Sequence, residues 1–402
     1  VLLLLLNYLQ TILSFQIPTA FFYSSTRMIL AAITSLFFVL FLGPTFIKKL
    51  YELKTGQSIR VEDCPMLAEL HKKKKNTPTM GGILILFSML VSLILWMDLH
   101  SVFTLILFIT TVWVGGIGAY DDYLKLKHKN SKGLRARKKM LLQLVFAMGL
   151  ALYLFVPSVS QSVSKGKWFP QPVAKEIVSS VEKEEVKILS LSEYSSRYYM
   201  PLLKDPVCVL KGGAIILGVL FTLFVVTGSS NAVNLTDGLD GLASGCLIMV
   251  AAVLASLAFF SNNIELSHYL NIMYIEGSGE IAIFLFSLMG ACLGFLWFNG
   301  SPAQVFMGDT GSLALGAILG VSSVLLRREF LFALAGGVFI AETLSVILQV
   351  ASFKLYRKRI FLCSPLHHHF EYKGWPETKI VIRFWIVTLL LCFLAIATLK
   401  LQ

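Results

Sequence analysis

Five acidic residues stand out in an apolar chain. Asp121 and Asp122 are adjacent, Asp237 and Asp240 are three apart, and Asp309 lies between Gly308 and Gly311. Carboxylates beside long apolar runs are costly unless a cation pairs with them. On a helix, Asp237 and Asp240 would face one way, and the glycines beside them let a backbone or ligand come close. Each acid also has a plain structural reading. Asp309 can cap the helix that follows it, and Asp121 or Asp122 can pair with a nearby Lys. Basic residues gather in the same stretches. Lys72 to Lys75 precede TPTMGG, and Lys125, Arg135, Arg137, Lys138 and Lys139 follow the aspartate pair. Taken together, the hard oxygen ligands suit Mg²⁺, which prefers one or two carboxylates plus water and substrate phosphates. The lysines and arginines suit phosphate oxygens. Acids, bases and glycine-rich helix starts are what phosphoryl chemistry on a diphosphate would need.

Three consecutive histidines, His367, His368 and His369, lie between a Pro and Phe-Glu. Adjacent histidines cannot all point at one atom, and zinc usually wants spaced ligands. Donors to a phosphate or sugar fit better. Glu342 and Gln349 fall in one apolar run. An acid there is a functional candidate by default, and a helix-to-helix hydrogen bond is the alternative.

The elements that position these residues follow from composition. Hydrophobic residues make up 56% of the 402 and charged residues only 14%, with mean hydropathy +0.75. A soluble domain carries roughly 25% charge, so the chain has too little polar surface to coat a water-soluble globule. A disordered chain, a disulfide scaffold and a nucleic-acid binder are excluded. The expectation is an all-α polytopic membrane protein, because the apolar runs match helical spans and lack a barrel's alternation. Ten spans are predicted, at about 28–47, 80–97, 101–120, 140–158, 212–230, 241–260, 281–298, 311–326, 330–351 and 380–399. Segment 1–22, broken by Asn7, Gln10, Gln16 and Pro18, reads as a helix lying at the interface. Val1 to Leu6 have no basic region before them, so no cleavable leader is expected.

Ten spans put both termini on one side. The loops 48–79, 121–139, 231–240, 299–310 and 352–379 hold 22 Lys+Arg, against twelve in the other set, eight of them in 159–211. Long external segments carry little weight in this comparison. The first set is therefore expected in the cytoplasm and both termini outside. Net charge +12 then reflects basic inside loops rather than a polyanionic partner. Every concentrated polar motif falls in the cytoplasmic set. The whole chain reads as one membrane domain carrying a polar external insertion at about 159–211, with room for a short hairpin or helix. The six cysteines form no CxxC and are expected to be reduced.

The strings TPTMGG, DDYLK, NAVNLTDGLDGL, FLWFN, PAQVFMGDTGS and PLHHHFEYKGWPE, in this order, closely resemble the bacterial phospho-N-acetylmuramoyl-pentapeptide-transferases. These belong to the polyprenyl-phosphate N-acetylhexosamine-1-phosphate transferase superfamily. The likeness runs nearly the whole chain and includes AETLSVILQVASFK. It implies attack of undecaprenyl phosphate on UDP-N-acetylmuramoyl-pentapeptide at the inner membrane, releasing UMP and forming lipid I, with Mg²⁺ required. By resemblance, Asp309 is the metal ligand, Asp121 and Asp122 handle the lipid phosphate, and Asp237 is a nucleophile or positioning group. Lys75, Thr77, Lys125, Lys139, Asn231, Asn234, Asp240, Asn299, Phe306, Gln349 and His367 to His369 fall on positions tied to substrate binding. The family is generally dimeric. The insertion is the main departure from its pattern.

Two other readings compete. A superfamily relative would transfer N-acetylglucosamine-1-phosphate, and PLHHHFE argues against that branch. A secondary transporter would put its key charges near mid-membrane in paired broken helices, whereas these motifs cluster on one face.

Overall fold

The computed structural model describes Leu2, Tyr8, Ile12 and residues 18–53, 77–128, 133–179 and 184–401. The interfacial helix expected over 1–22, Lys75 and Cys64 therefore lie wholly or mostly outside the described residues.

The chain is a helical bundle. Long helices run at α1 (Ser24–Glu52), α2 (Gly82–Trp96), α3 (Val102–His128), α4 (Ala136–Phe155), α7 (Ile215–Thr236), α8 (Leu242–Ser261), α10 (Gly279–Asn299), α11 (Gly308–Leu325), α13 (Gly337–Tyr356) and α15 (Glu377–Lys400). Short helices are α5 (Pro157–Val163), α6 (Leu191–Ser195), α9 (Ile264–Tyr269), α12 (Glu329–Ala335) and α14 (Leu366–Tyr372). Among the described residues, nine helices are long and apolar enough to cross a membrane. The predicted second span is the exception, because α2 has only 15 residues. The predicted ninth span also differs. It breaks into α12 and α13 at Gly336, and the next residue, Gly337, leaves room for Leu391 of α15.

α11 is the hub. Every residue from Thr310 to Leu325 is buried. Small residues let neighbouring backbones close on it. A Cβ on Gly82 of α2 would collide with the Gly311 backbone, and one on Gly118 of α3 would collide with the Asp309 carbonyl. Gly316 and Gly320 give α7 the same access through Ser229. These contacts bring the starts of α2 and α11 and the end of α3 to one place.

The insertion does hold a hairpin, and it adds small sheets to the helical fold. Strands β1 (Ala174–Ser179) and β2 (Glu184–Leu189) pair antiparallel, and β1 also pairs with β5 (Tyr274–Ile275) from the loop after α9. Strand β3 (Arg197–Tyr198) pairs with β4 (Cys208–Val209). This cap touches the start of α3, where Phe169 N–H donates to the His100 carbonyl at 2.8 Å. Nineteen helical residues separate Val102 from Asp121, about 30 Å of rise. The cap and the aspartates thus sit at opposite ends of the bundle, separated by the thickness of a hydrocarbon core.

A buried arginine ties the cap to the bundle. Arg327 is fully buried. Its Nη1 donates to the Ser195 carbonyl at 2.9 Å and lies 3.1 Å from Glu329 Oε1. Removing one partner strands the other charge in a buried site, which costs about 3–5 kcal/mol. Arg327→Ala is expected to lose that much unfolding free energy in mixed micelles. An unchanged unfolding midpoint would contradict this anchoring.

Candidate active site

Three helices converge on one charged cluster. α3 ends with Asp121, Asp122 and Lys125, α4 begins with Lys139, and α11 begins with Asp309. Asp121 and Asp122 are almost fully buried. They lie near a helix C-terminus, where the backbone dipole disfavours carboxylates, so other groups must hold them.

The start of α11 does this for Asp122. The first N–H groups of a helix have no partner inside it, and the residue before α11, Met307, makes no side-chain cap. Asp122 reaches across from α3 instead. It accepts from Thr310 N–H at 2.9 Å, Thr310 Oγ1 at 2.7 Å and Asp309 N–H at 3.3 Å. The cap foreseen for Asp309 is therefore made by Asp122. Asp121 accepts from Leu134 N–H at 2.7 Å, and its other oxygen is 2.6 Å from Lys125 Nζ.

Asp309 sits between both lysines. Its Oδ2 is 2.6 Å from Lys139 Nζ and 3.0 Å from Lys125 Nζ. Asn234 of α7 donates to its Oδ1 at 2.9 Å and to Ser312 Oγ at 2.8 Å. Asp237 follows α7 and is half-buried. The protein around its carboxyl first, then the charges of Asp309 and Asp122, push it up to about 7, against one opposing Gly308 N–H.

The cluster fits a divalent cation. Asp121, Asp122 and Asp309 each offer an oxygen, all within 4.8 Å of one another. Opposite oxygens of an octahedral Mg²⁺ lie about 4.2 Å apart, and the ion favours hard oxygen donors. Three carboxylates against two ammoniums also leave net negative charge for it.

Other nominated residues serve the loops around the cluster. Asn231 donates to Gln143 Oε1 and to the Thr227 carbonyl, each at 2.8 Å. Asn299 accepts from Gly241 N–H at 3.0 Å and Ser244 Oγ at 3.3 Å, and donates to the Val305 carbonyl at 2.9 Å. Asp240 accepts from Ala303 N–H at 3.1 Å, while its own N–H donates to Glu377 Oε1 at 2.8 Å. Both side chains are buried, so they hold the turns after α7 and α10. Phe306 joins the turn before α2 through its backbone, donating to the Pro78 carbonyl and accepting from Gly81 N–H, each at 2.8 Å. Thr77 is buried just before that turn. Gln349 is spent on the loop after α13. It accepts from Ile360 and Phe361 N–H and donates to the Phe361 carbonyl, at 2.9 to 3.0 Å.

The three histidines have three different partners. His367 is fully buried. Its N–H donates to Glu342 Oε1, and its Nδ1 lies 3.1 Å from Glu342 Oε2. Its Nε2 packs where a Cβ on Gly238 would be, beside Asp237. His368 Nδ1 is 2.6 Å from Glu371. His369 Nδ1 accepts from Leu362 N–H at 3.1 Å. Gln143, Glu371 and Glu377 are absent from the sequence-based candidates. Gln143 lies one helical turn from Lys139, and that spacing is the one cue that could have found it.

These features define a polytopic membrane protein with a cluster of carboxylates and lysines at one end of its helices. The model for glycosyl transferase family 4 matches residues 104–327, and the phospho-N-acetylmuramoyl-pentapeptide-transferase signature 1 matches residues 74–86. The chain is 61% identical to a phospho-N-acetylmuramoyl-pentapeptide-transferase of Protochlamydia amoebophila over 99% of both chains. It is 45% identical to one of Desulfotalea psychrophila over 95% of both. The chain belongs to the phospho-N-acetylmuramoyl-pentapeptide-transferases.

The charge environment of Asp237 can be measured. In Mg²⁺-free protein its carboxyl should be protonated below about pH 7 and ionised above it. Infrared difference spectra are expected to show a protonated C=O band lost with a midpoint near 7 and missing in Asp237→Asn. Titration in the ordinary carboxylate range, near pH 4, would contradict the environment described.

Proposed function

We propose that this chain transfers phospho-N-acetylmuramoyl-pentapeptide from its UDP-linked donor to undecaprenyl phosphate, releasing UMP and forming lipid I. This is the first membrane step of peptidoglycan synthesis. The observation that carries the reading is the joining of three carboxylates and two lysines at the start of α11, in a chain of this family. The cluster end is assigned to the cytoplasmic face of the bacterial inner membrane, on the weight of basic loops there.

The bonds follow from the substrates. An oxygen of the lipid phosphate attacks the β-phosphorus, and the bond to the bridging oxygen breaks toward UMP. The difficulty is bringing two anions together. Lys125 and Lys139 lie where they can neutralise that repulsion, and positioning supplies much of the remainder. Asp121, Asp122 and Asp309 are assigned as the groups that would hold Mg²⁺. When bound, the ion would polarise phosphoryl oxygens and offset their charge. His368 and His369, each fixed at Nδ1, are assigned to donor phosphate or sugar through Nε2. We assign Asp237 to positioning. The lipid phosphate is already an ionised nucleophile, so a covalent enzyme intermediate would add a step without removing a hard one.

Purified protein is expected to release UMP from UDP-N-acetylmuramoyl-pentapeptide only with undecaprenyl phosphate and Mg²⁺ present, and not from UDP-N-acetylglucosamine. Equal turnover of the second donor would overturn the substrate assignment. Delipidated enzyme is expected not to exchange labelled UMP into the donor. Lipid-free exchange that disappears in Asp237→Asn would establish the covalent route instead.

A further inference from the structure

The insertion ends in a small hairpin that carries both polar and apolar residues. β3 and β4 register Arg197 with Val209 and Tyr198 with Cys208. Val207 N–H donates to the Tyr198 carbonyl and Leu210 N–H to the Ser196 carbonyl, each at 2.9 Å. The base is fixed from below. The Arg327 guanidinium lies 5.5 Å from the Tyr198 ring, and that of Arg328 lies 4.9 Å from the Tyr199 ring.

The depth of the hairpin can be read from Tyr198. Its ring meets Phe221 of α7 edge-on at 5.4 Å. Its hydroxyl is 3.0 Å from where a Cβ on Gly218 would be. Both residues belong to the first two turns of a membrane-spanning helix. On that same stretch Ile216, Leu217, Leu220 and Phe224 are exposed, so this part of α7 faces lipid. β4 runs into it through Leu210, Lys211 and Gly212.

The hairpin has two unlike sides. Lys204, Asp205 and Pro206 line a cleft of about 840 Å³, together with Lys175, Glu176 and Arg197. Leu202, Leu203 and Val207 are absent from that lining and are 52%, 49% and 55% exposed. Leu202 also adopts φ +71°, a left-handed conformation that a leucine rarely takes. A strained turn that presents two leucines to water gains nothing from burial. Against lipid, the same turn removes apolar surface from water.

We propose that the Arg197–Val209 hairpin is an interfacial anchor. Its apolar side lies in the leaflet next to the cap, continuous with the lipid-facing side of α7, and its polar side faces the cleft. Lys211, exposed at the junction with α7, falls at the level of the lipid phosphates, where a cation is favoured. The anchor would fix the height of the cap over the bundle, and it stands independently of the catalytic reading.

Native Cys208 is exposed, whereas the other described cysteines are buried. A nitroxide there probes the hairpin without altering it, in a Cys64→Ser background. Leu203→Cys and Val207→Cys, in Cys64→Ser Cys208→Ser protein, add two positions, and Ile188→Cys on β2 is the aqueous control. The labelled proteins would be placed in phosphatidylethanolamine–phosphatidylglycerol vesicles. Power-saturation EPR is expected to show that oxygen outcompetes a water-soluble nickel chelate at 203, 207 and 208, with the order reversed at 188. Nickel dominance at all four sites would put the hairpin in water and overturn the proposal. Exclusion of both reagents from the hairpin, with spin–spin broadening between labels, would overturn it in favour of a contact with a second copy.

Discussion

Three carboxylates cannot share a buried corner of a protein unless backbone dipoles and cations hold them there. In this chain the start of α11 supplies the dipole. Asp122 takes the free N–H groups of its first turn, and that bond requires α3 to lie flush on α11. Gly118 permits the approach, since a Cβ there would collide with the Asp309 carbonyl. Gly82 and Gly311 bring α2 to the same point. The small residues of the hub helix thus serve the site as much as the packing. Without close backbones the aspartates would lose their hydrogen bonds, and their mutual repulsion would be uncompensated.

Around that corner, polar side chains hold loops. Asn299 and Asp240 stitch the turns after α10 and α7. Gln349 stitches the loop after α13, and Glu342 holds His367 against the Asp237 turn. A charged centre needs such supports, because a misplacement of about 1 Å costs far more in orientation than any one contact returns.

Much of this was legible in the sequence for a physical reason. In a chain with so few charges, each polar cluster beside an apolar run is costly, so it marks a site. That logic marked the aspartates, the lysines and the histidines, while Asn234 came from the family resemblance. It could not separate residues that touch ligand from residues that hold backbone, because both are polar and both sit in the motifs. Asn299, Asp240 and Gln349 all hold backbone by hydrogen bonds. Gln143 and Glu377 escaped notice because their partners are distant in sequence. Helix existence followed from apolar length, but length is blind to where a helix breaks. One apolar run breaks at Gly336 into α12 and α13, and α2 stops at 15 residues.

The central claim is that Asp121, Asp122 and Asp309 form one cation site tuned by Lys125 and Lys139. EPR titration of the purified protein with Mn²⁺, a paramagnetic substitute for Mg²⁺, tests it without relying on turnover. The expected result is one tightly bound Mn²⁺ per chain, lost in Asp309→Asn protein that keeps its helical circular dichroism. Bound Mn²⁺ of unchanged affinity in that variant would contradict the assignment.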